Sequence, residues 1–250
     1  MIYAVANQKG GVGKTTSTVN IAACLADTGA RVLLIDLDPQ ANASSGLGFR
    51  GGKAPTVADV VLDGLPVRDA IQHTTIPNLD IVVSEPDLAS AAIELPGRDH
   101  RERILADALA DVGTDYAYVF IDCPPSLDLL TVNALTAADR LIIPVQCEYF
   151  ALEGLSRLMD TITAVRTRLN PDLGLGGLLL TMHDSRTRVS GDVITEVRRH
   201  FPDAAYTTVI PRNVRITEAP SFGEPVTQYD PSCAGSLAYI AVAKEIVARG

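Results

Sequence analysis

The stretch "NQKGGVGKTT", Asn7–Thr16, follows directly on the short apolar run Ile2–Ala6 and precedes a helical pattern beginning at Thr16. A glycine-rich loop set between strand and helix and ending in Gly-Lys-Thr is the pattern of a phosphate-binding loop. Gly10, Gly11 and Gly13, with Val12 among them, let successive backbone N–H groups turn inward without Cβ clashes. The start of the following helix adds partial positive charge. Lys14 can then reach the β- and γ-phosphates of a nucleotide, the Thr15 hydroxyl can ligate Mg²⁺, and Thr16 is placed for the α-phosphate. A glycine turn that only joined strand to helix would have no need of Lys-Thr at that point. The loop still departs from the common pattern. Gln8 stands where the first glycine is expected, and a second lysine, Lys9, follows it.

Further along, near-continuous apolar runs recur: Arg31–Asp36, Leu79–Ser84, Tyr118–Asp122, Arg140–Val145 and Gly177–Thr181. Such runs read as strands buried on both faces, which is the habit of a parallel sheet covered by helices. Helical patterns lie between them at Thr16–Asp27, Arg101–Asp111, Leu152–Leu169, Asp192–His200 and Ser236–Ala248. The expectation is an α/β fold, a mostly parallel twisted sheet with helices on both faces and right-handed crossovers, formed by residues 1–250 as a single domain. The Gly- and Pro-rich segment Gly48–Pro66 reads as an excursion carrying a short helix.

Ligands of open α/β sheets bind beyond the carboxyl ends of the strands, so the residues there carry most weight. Asp36 and Asp38 end and follow the second run, and Asp122 ends "YVFID". A carboxylate at such a place is costly without a cation nearby, and Asp122 reads as a partner of magnesium. Asp38 stands where it could orient or deprotonate a water. Asp36 also reads as a simple strand-end or turn carboxylate.

The chain has 250 residues, 47% hydrophobic and 20% charged, with a net charge of −9. That composition supports a sizeable core. No window holds 18 uninterrupted apolar residues, and the start of the chain lacks a signal-peptide pattern, so a cytoplasmic protein is expected. Four scattered cysteines form no Cys-x-x-Cys pair, which disfavours a zinc site or disulfide framework. The acidic balance excludes a chain coated throughout by nucleic acid, though not a local basic face.

"KGGVGKTT", "VLLIDLDPQANAS", "YVFIDCPPS", "CEYFALEGL", "TVIPRNVRITEAPSFGEPV" and "YDPSCAGSLAYIAVAKE" together resemble the ParA/Soj partition ATPases, a deviant-Walker-A branch of the P-loop proteins. The first block marks only the superfamily, and the later blocks point to ParA. The resemblance implies ATP and Mg²⁺ as ligands. Lys9, otherwise a solvated lysine beside a loop, matches the signature lysine that crosses to the partner's phosphates in an ATP-sandwich homodimer. Gly10, Gly11, Gly13, Lys14, Thr15 and Thr16 match the loop, and Asp38 the carboxylate that positions water. Asp122 matches the Walker B acid, with "CPPS" after it as a γ-phosphate switch. Thr15, Asp38 and Asp122 are the expected metal contacts, and Pro211, Arg212 and Asn213 lie where the family meets adenine.

The same resemblance implies nonspecific double-stranded DNA and a ParB-type centromere-binding protein as partners, and a nucleoid-associated location. Arg186, Arg188, Arg198, Arg199, Arg212 and Arg215 form a local enrichment compatible with contacts to phosphate backbone. The alternative is solvated arginines paired with Asp184, Asp192 and Glu196. Strand one begins almost at once, so no preceding helix-turn-helix and no operator-specific binding are expected.

Four rivals remain. A MinD-like membrane ATPase should end in a basic amphipathic helix, whereas Ser236–Gly250 is apolar with few charges. An iron–sulfur carrier would need partner-facing cysteines, for which Cys123 and Cys147 have the wrong spacing. A superfamily ligase would need a substrate pocket. A ParA-like protein positioning a non-DNA cargo would share every motif.

Overall fold

The computed structural model describes residues 1–112, 114–148 and 153–249, without the side chains of 153–157. Seven strands form one sheet: β1 Ile2–Val5, β2 Val32–Asp36, β3 Ile71–His73, β4 Leu79–Val82, β5 Tyr118–Asp122, β6 Arg140–Gln146 and β7 Gly174–Thr181. Their order is β3-β4-β2-β5-β1-β6-β7. All neighbours are parallel except the edge pair β3–β4. The expected mostly parallel sheet is therefore present. All six expected strands occur, while β3, three partly exposed residues with no apolar run, was not legible as a strand.

The principal helices are α1 Lys14–Ala26, α2 Val57–Asp63, α3 Ile104–Leu109, α4 Leu129–Ala137, α5 Glu153–Arg168, α6 Arg188–His200, α7 Val214–Glu218 and α8 Ala234–Arg249. The expected helices appear, with ends shifted by up to a turn; Leu152 lies outside the described residues. The short helix expected in Gly48–Pro66 is α2, held by a capping box in which Thr56 and Asp59 satisfy each other's backbone N–H groups. Helix α4 is an addition to the expected set, capped by the Asp128 carboxylate, which accepts from Leu130 and Thr131 N–H.

Side-chain alternation divides the core between the two sheet faces. Ala4, Leu33, Ile35, Val119 and Ile121 pack with residues of α2 to α6, including Val60, Leu109, Ala134, Ile162 and Val197. Tyr3, Val5, Leu34 and Phe120 face the other way, against Ile21 and Leu25 of α1 and Tyr239, Val242 and Ile246 of α8. Tyr3 and Phe120 stack at 5.2 Å between ring centroids. Strand β1 lies between β5 and β6, inside the sheet, and chain order reverses there. The crevice at such a switch point opens at the carboxyl ends of the strands, which is where Asn7–Thr16 leaves β1.

Candidate functional site

Asn7 anchors the loop. Its buried amide donates to Pro144 O at 2.7 Å, and its Oδ1 accepts the Lys9 N–H at 3.0 Å. Gly11 and Gly13 both adopt left-handed backbone, with φ of 71° and 86°, which a side chain would strain. The Val12 carbonyl is held by the Thr181 hydroxyl at 2.8 Å, tying the loop to the end of β7. Gly13 opens α1 without a side-chain cap, and no acidic residue occupies the first turn. The first N–H groups of α1 are thus left to an anion.

Lys14 is buried, and its ammonium donates to Lys9 O at 3.3 Å across the loop. Burial lowers its pKa, against the pull of Asp122, Cys123 and Asp38. Lys9 points elsewhere. Its Nζ lies 3.7 Å from Glu148 Oε2, and Arg212 meets the other oxygen of the same carboxylate at 3.7 Å.

Three carboxylates converge below the loop. Asp36 and Asp122 are register partners on β2 and β5, and both are fully buried. Burial raises both pKa values; the Asp36 charge adds to the rise at Asp122, and the Asp38 charge to that at Asp36. Asp122 Oδ1 accepts from Thr18 Oγ1 at 3.0 Å, and the nearby Thr15 and Thr18 hydroxyls pull its pKa down against burial. Its second oxygen, Oδ2, is buried with no donor at all. An orphaned, fully buried carboxylate oxygen beside Thr15 and Lys14 is what a divalent cation would satisfy. Among the described residues no three His, Cys, Asp or Glu side chains form a complete metal cage. Mg²⁺ keeps waters and phosphate oxygens among its ligands, so Asp122 and Thr15 would be its protein contacts. Asp38 is buried at the mouth, accepting Gln40 N–H at 3.0 Å. Asp36 instead spends its oxygens on backbone and Ser44 donors, so its turn-forming role is the one observed.

A cleft of about 520 Å³ opens over these groups, lined by Gly10, Gly11, Lys14, Thr15, Thr16 and Asp38 with residues from 40–46 and 219–224. A second compartment of about 390 Å³ adjoins it through Gly13, Thr16, Met182 and Pro220. Pro211, Arg212 and Asn213 line that second space with Ile210, Ile216 and Tyr239. Bonds between His183 and both Ile210 and Arg212 hold this segment beside the end of β7. The first compartment, floored by the loop and Lys14, is the more polar of the two, and the second is more apolar with the Asn213 amide among its lining, a division that suits the phosphates and the nucleoside of a nucleotide. Ala41 and Met182, both non-glycine residues with positive φ, flank the cleft. Asn20, Ser44, Glu148 and Met182 were not legible as contributors, because their partners are distant in the chain.

The six arginines fall into two groups. Arg186 pairs with Asp184 at 2.7 Å, and Arg188 with Asp192 at 4.0 Å. Arg212 and Arg215 lie beside the nucleoside compartment, Arg215 meeting Glu218 and Asp230. Arg198 and Arg199 sit at the far end of α6, about 16 Å along its axis from Arg188. Arg198 donates to Thr207 O, and Arg199 pairs with Glu196. The cysteines of the electron-carrier alternative are buried: Cys123 is fully enclosed with its pKa raised by burial, and Cys147 is raised to about 11. No helix among the described residues is long and apolar enough to cross a membrane. Of "CEYFALEGL", Tyr149–Leu152 lie outside the described residues.

Comparison with known proteins agrees with this geometry. A family model described as an AAA domain matches residues 1–175. The chain is 53% identical to the sporulation initiation inhibitor protein Soj of Bacillus subtilis, over 100% of this chain and 99% of that one. It is 52% identical to the chromosome partitioning protein ParA of Caulobacter vibrioides, over 99% of this chain and 94% of the relative. Among solved structures, cobyrinic acid a,c-diamide synthase from Mycobacterium smegmatis with bound ADP and magnesium superimposes with a TM-score of 0.87. Its sequence is 38% identical, and the match covers 98% of this chain and 93% of the other. The cell division ATPase MinD of Pyrococcus furiosus gives 0.79 at 26% identity, covering 100% and 99%. With its phosphate loop, paired strand-end carboxylates and full-length similarity to Soj and ParA, the chain belongs to the ParA/Soj family of P-loop ATPases.

Proposed function

We propose that the protein is a partition ATPase that binds ATP with Mg²⁺, dimerises around it, and in that state binds double-stranded DNA without sequence preference. The observation that carries the reading is the pairing of a buried Lys14 with a separate, outward Lys9. Lys14 serves the phosphates of its own loop. Lys9, 38% exposed and held only by a surface carboxylate, is free to serve a second site. A cation supplied in trans stabilises transition-state charge only when two subunits close, as an arginine finger does. Bound Mg²⁺ would neutralise phosphate charge, with Thr15 and Asp122 as its protein contacts and Asp38 near enough to orient a water. Hydrolysis then removes the charge that favours the dimer, so nucleotide acts as a timer of association.

The DNA surface is assigned to the arginines, of which Arg212 lines the nucleoside compartment. Their ion pairs are exposed and screened by solvent, so DNA phosphates can displace them. A centromere-binding ParB-type protein would stimulate hydrolysis and release the dimer. The identity with Soj and ParA supports this partner class. Co-sedimentation with DNA in ATP, in ADP and without nucleotide, at two salt concentrations, tests the reading. Retention that requires ATP and falls steeply with salt is expected. Equal retention in all three states would overturn it.

A second reading rests on the 38% identity to a diamide synthase structure, which would make the cleft an amide-forming site driven by ATP. Turnover of ATP that depends on an added carboxylic acid and amine donor, with no effect of DNA, would favour it.

A further inference from the structure

We propose that Asp36 and Ser44 form a positioning pair that sets the wall of the nucleotide cleft and holds Asp38 in line for hydrolysis, an inference that rests on the ATPase reading. Asp36 is wholly buried at the end of β2, yet it touches neither the cleft nor the phosphate loop. Its Oδ2 accepts both the N–H and the hydroxyl of Ser44, at 2.8 and 2.7 Å. Its Oδ1 accepts the Asp38 N–H at 3.2 Å. The contrast with Asp122, which keeps one buried oxygen without a donor, divides the work between neighbouring carboxylates. Asp122 is left open to a cation, and Asp36 is spent on the chain.

Ser44 carries the connection further. Its Oγ donates to Asp36 and accepts the Ser84 N–H at 2.9 Å, so one buried hydroxyl joins the ends of β2 and β4. It lies in the one-turn helix Asn42–Gly46, entered through the left-handed Ala41. That helix presents Asn42, Ser45 and Gly46 to the cleft. Beyond it the chain closes on the opposite wall. A Cβ on Gly46 would stand 3.9 Å from Pro220, and one on Gly223 only 2.9 Å from Gly48 Cα. Pro220 lines both compartments, so the Ser44 turn and the opposite wall meet at the edge of the cleft, on the side where Asp38 stands. Three buried hydrogen bonds onto Asp36, two from Ser44 and one from the Asp38 N–H, hold this turn.

The test uses the full chain with Ser44→Ala, Ser44→Thr and Asp36→Asn beside wild type. Amide hydrogen exchange without nucleotide reads the hold itself. Exchange at 42–46 should rise about tenfold or more in Ser44→Ala, which loses both buried bonds of the hydroxyl. With Mg²⁺ and ATP, kcat should fall by about tenfold or more while KM changes by less than about threefold, because misplacing a group acts on the chemical step. Ser44→Thr, which keeps the hydroxyl, should recover most of the kcat. Asp36→Asn, which replaces an acceptor oxygen by a donor, should reproduce the Ser44→Ala split. Unchanged exchange in both Ser44→Ala and Asp36→Asn would overturn the pair. So would raised exchange with wild-type kcat, which would make the bonds structural only. Wild-type protein that neither binds nor hydrolyses ATP would refute the underlying reading instead, and the exchange data would still score the hold on the turn.

Discussion

At the scale of single residues the site separates charges by burial. Lys14 is enclosed by the loop and costs desolvation, so it repays that cost only when phosphate is present. Lys14→Ala should therefore abolish nucleotide binding, and a fluorescent ADP analogue that still bound with wild-type affinity would refute the loop assignment. Asp38 sits at the mouth with one carboxylate bond, to the Gln40 N–H, which leaves it free to meet a water. Asp38→Ala should retain ATP and the ATP-dependent dimer while losing turnover by about 10² to 10⁴, the usual worth of a positioned acid or base. Size-exclusion chromatography beside a phosphate-release assay separates the two properties. The loop, Asp38 and Asp122 were legible from residue type and from their places after apolar runs. Asn20 was not. Its amide bridges Thr16 O and the Val226 N–H, a partner more than two hundred residues away that no local pattern announces.

Among the elements, α3 and α4 show how polar groups settle packing. Asn133 of α4 is fully buried, donating to Arg101 O at 2.7 Å and Leu129 O at 2.9 Å and accepting the Leu105 N–H at 3.2 Å. Asn133→Ala would leave buried backbone groups of both helices unpaired. A loss of about 1–3 kcal/mol in urea unfolding is expected, with ATP affinity unchanged, since neither helix lines the cleft. Phe120 sits in the sheet against Tyr3, and Phe120→Ala should cost more, about 3–5 kcal/mol by the same measurement. Strands buried on both faces announce themselves as apolar runs, which is why six were legible. The edge strand β3 is only partly covered and pairs antiparallel, so its residues carry no such run. Helix α6 begins a turn before its expected start, and in that first turn the buried Ser190 hydroxyl donates to Cys147 O, an anchor more than forty residues away that no local pattern announces.

Across the whole molecule, the register of β2 and β5 sets two buried carboxylates side by side. Their pKa values are raised above the unfolded value of about 4, so the folded state holds protons that the unfolded chain has released. The sign follows: the stability they allow is full below the unfolded value and is lost as pH rises through their folded values. Nucleotide-free protein should therefore melt at a lower temperature at about pH 8 than at about pH 5, and Asp122→Asn should flatten that slope, read by thermal denaturation. Magnesium with nucleotide should raise the melting temperature most at the higher pH, where the carboxylates are ionised. By itself the sequence determined the fold class, the phosphate loop and the acids beside it, because period, glycine placement and strand ends are local properties of the chain. Only the tertiary structure decided that Asp122 keeps an oxygen open while Asp36 holds Ser44, that Lys9 rests on Glu148 beside Arg212, and that the arginines divide into two groups. Each of those depends on distances between segments far apart in the chain, and those distances exist only after the sheet has assembled.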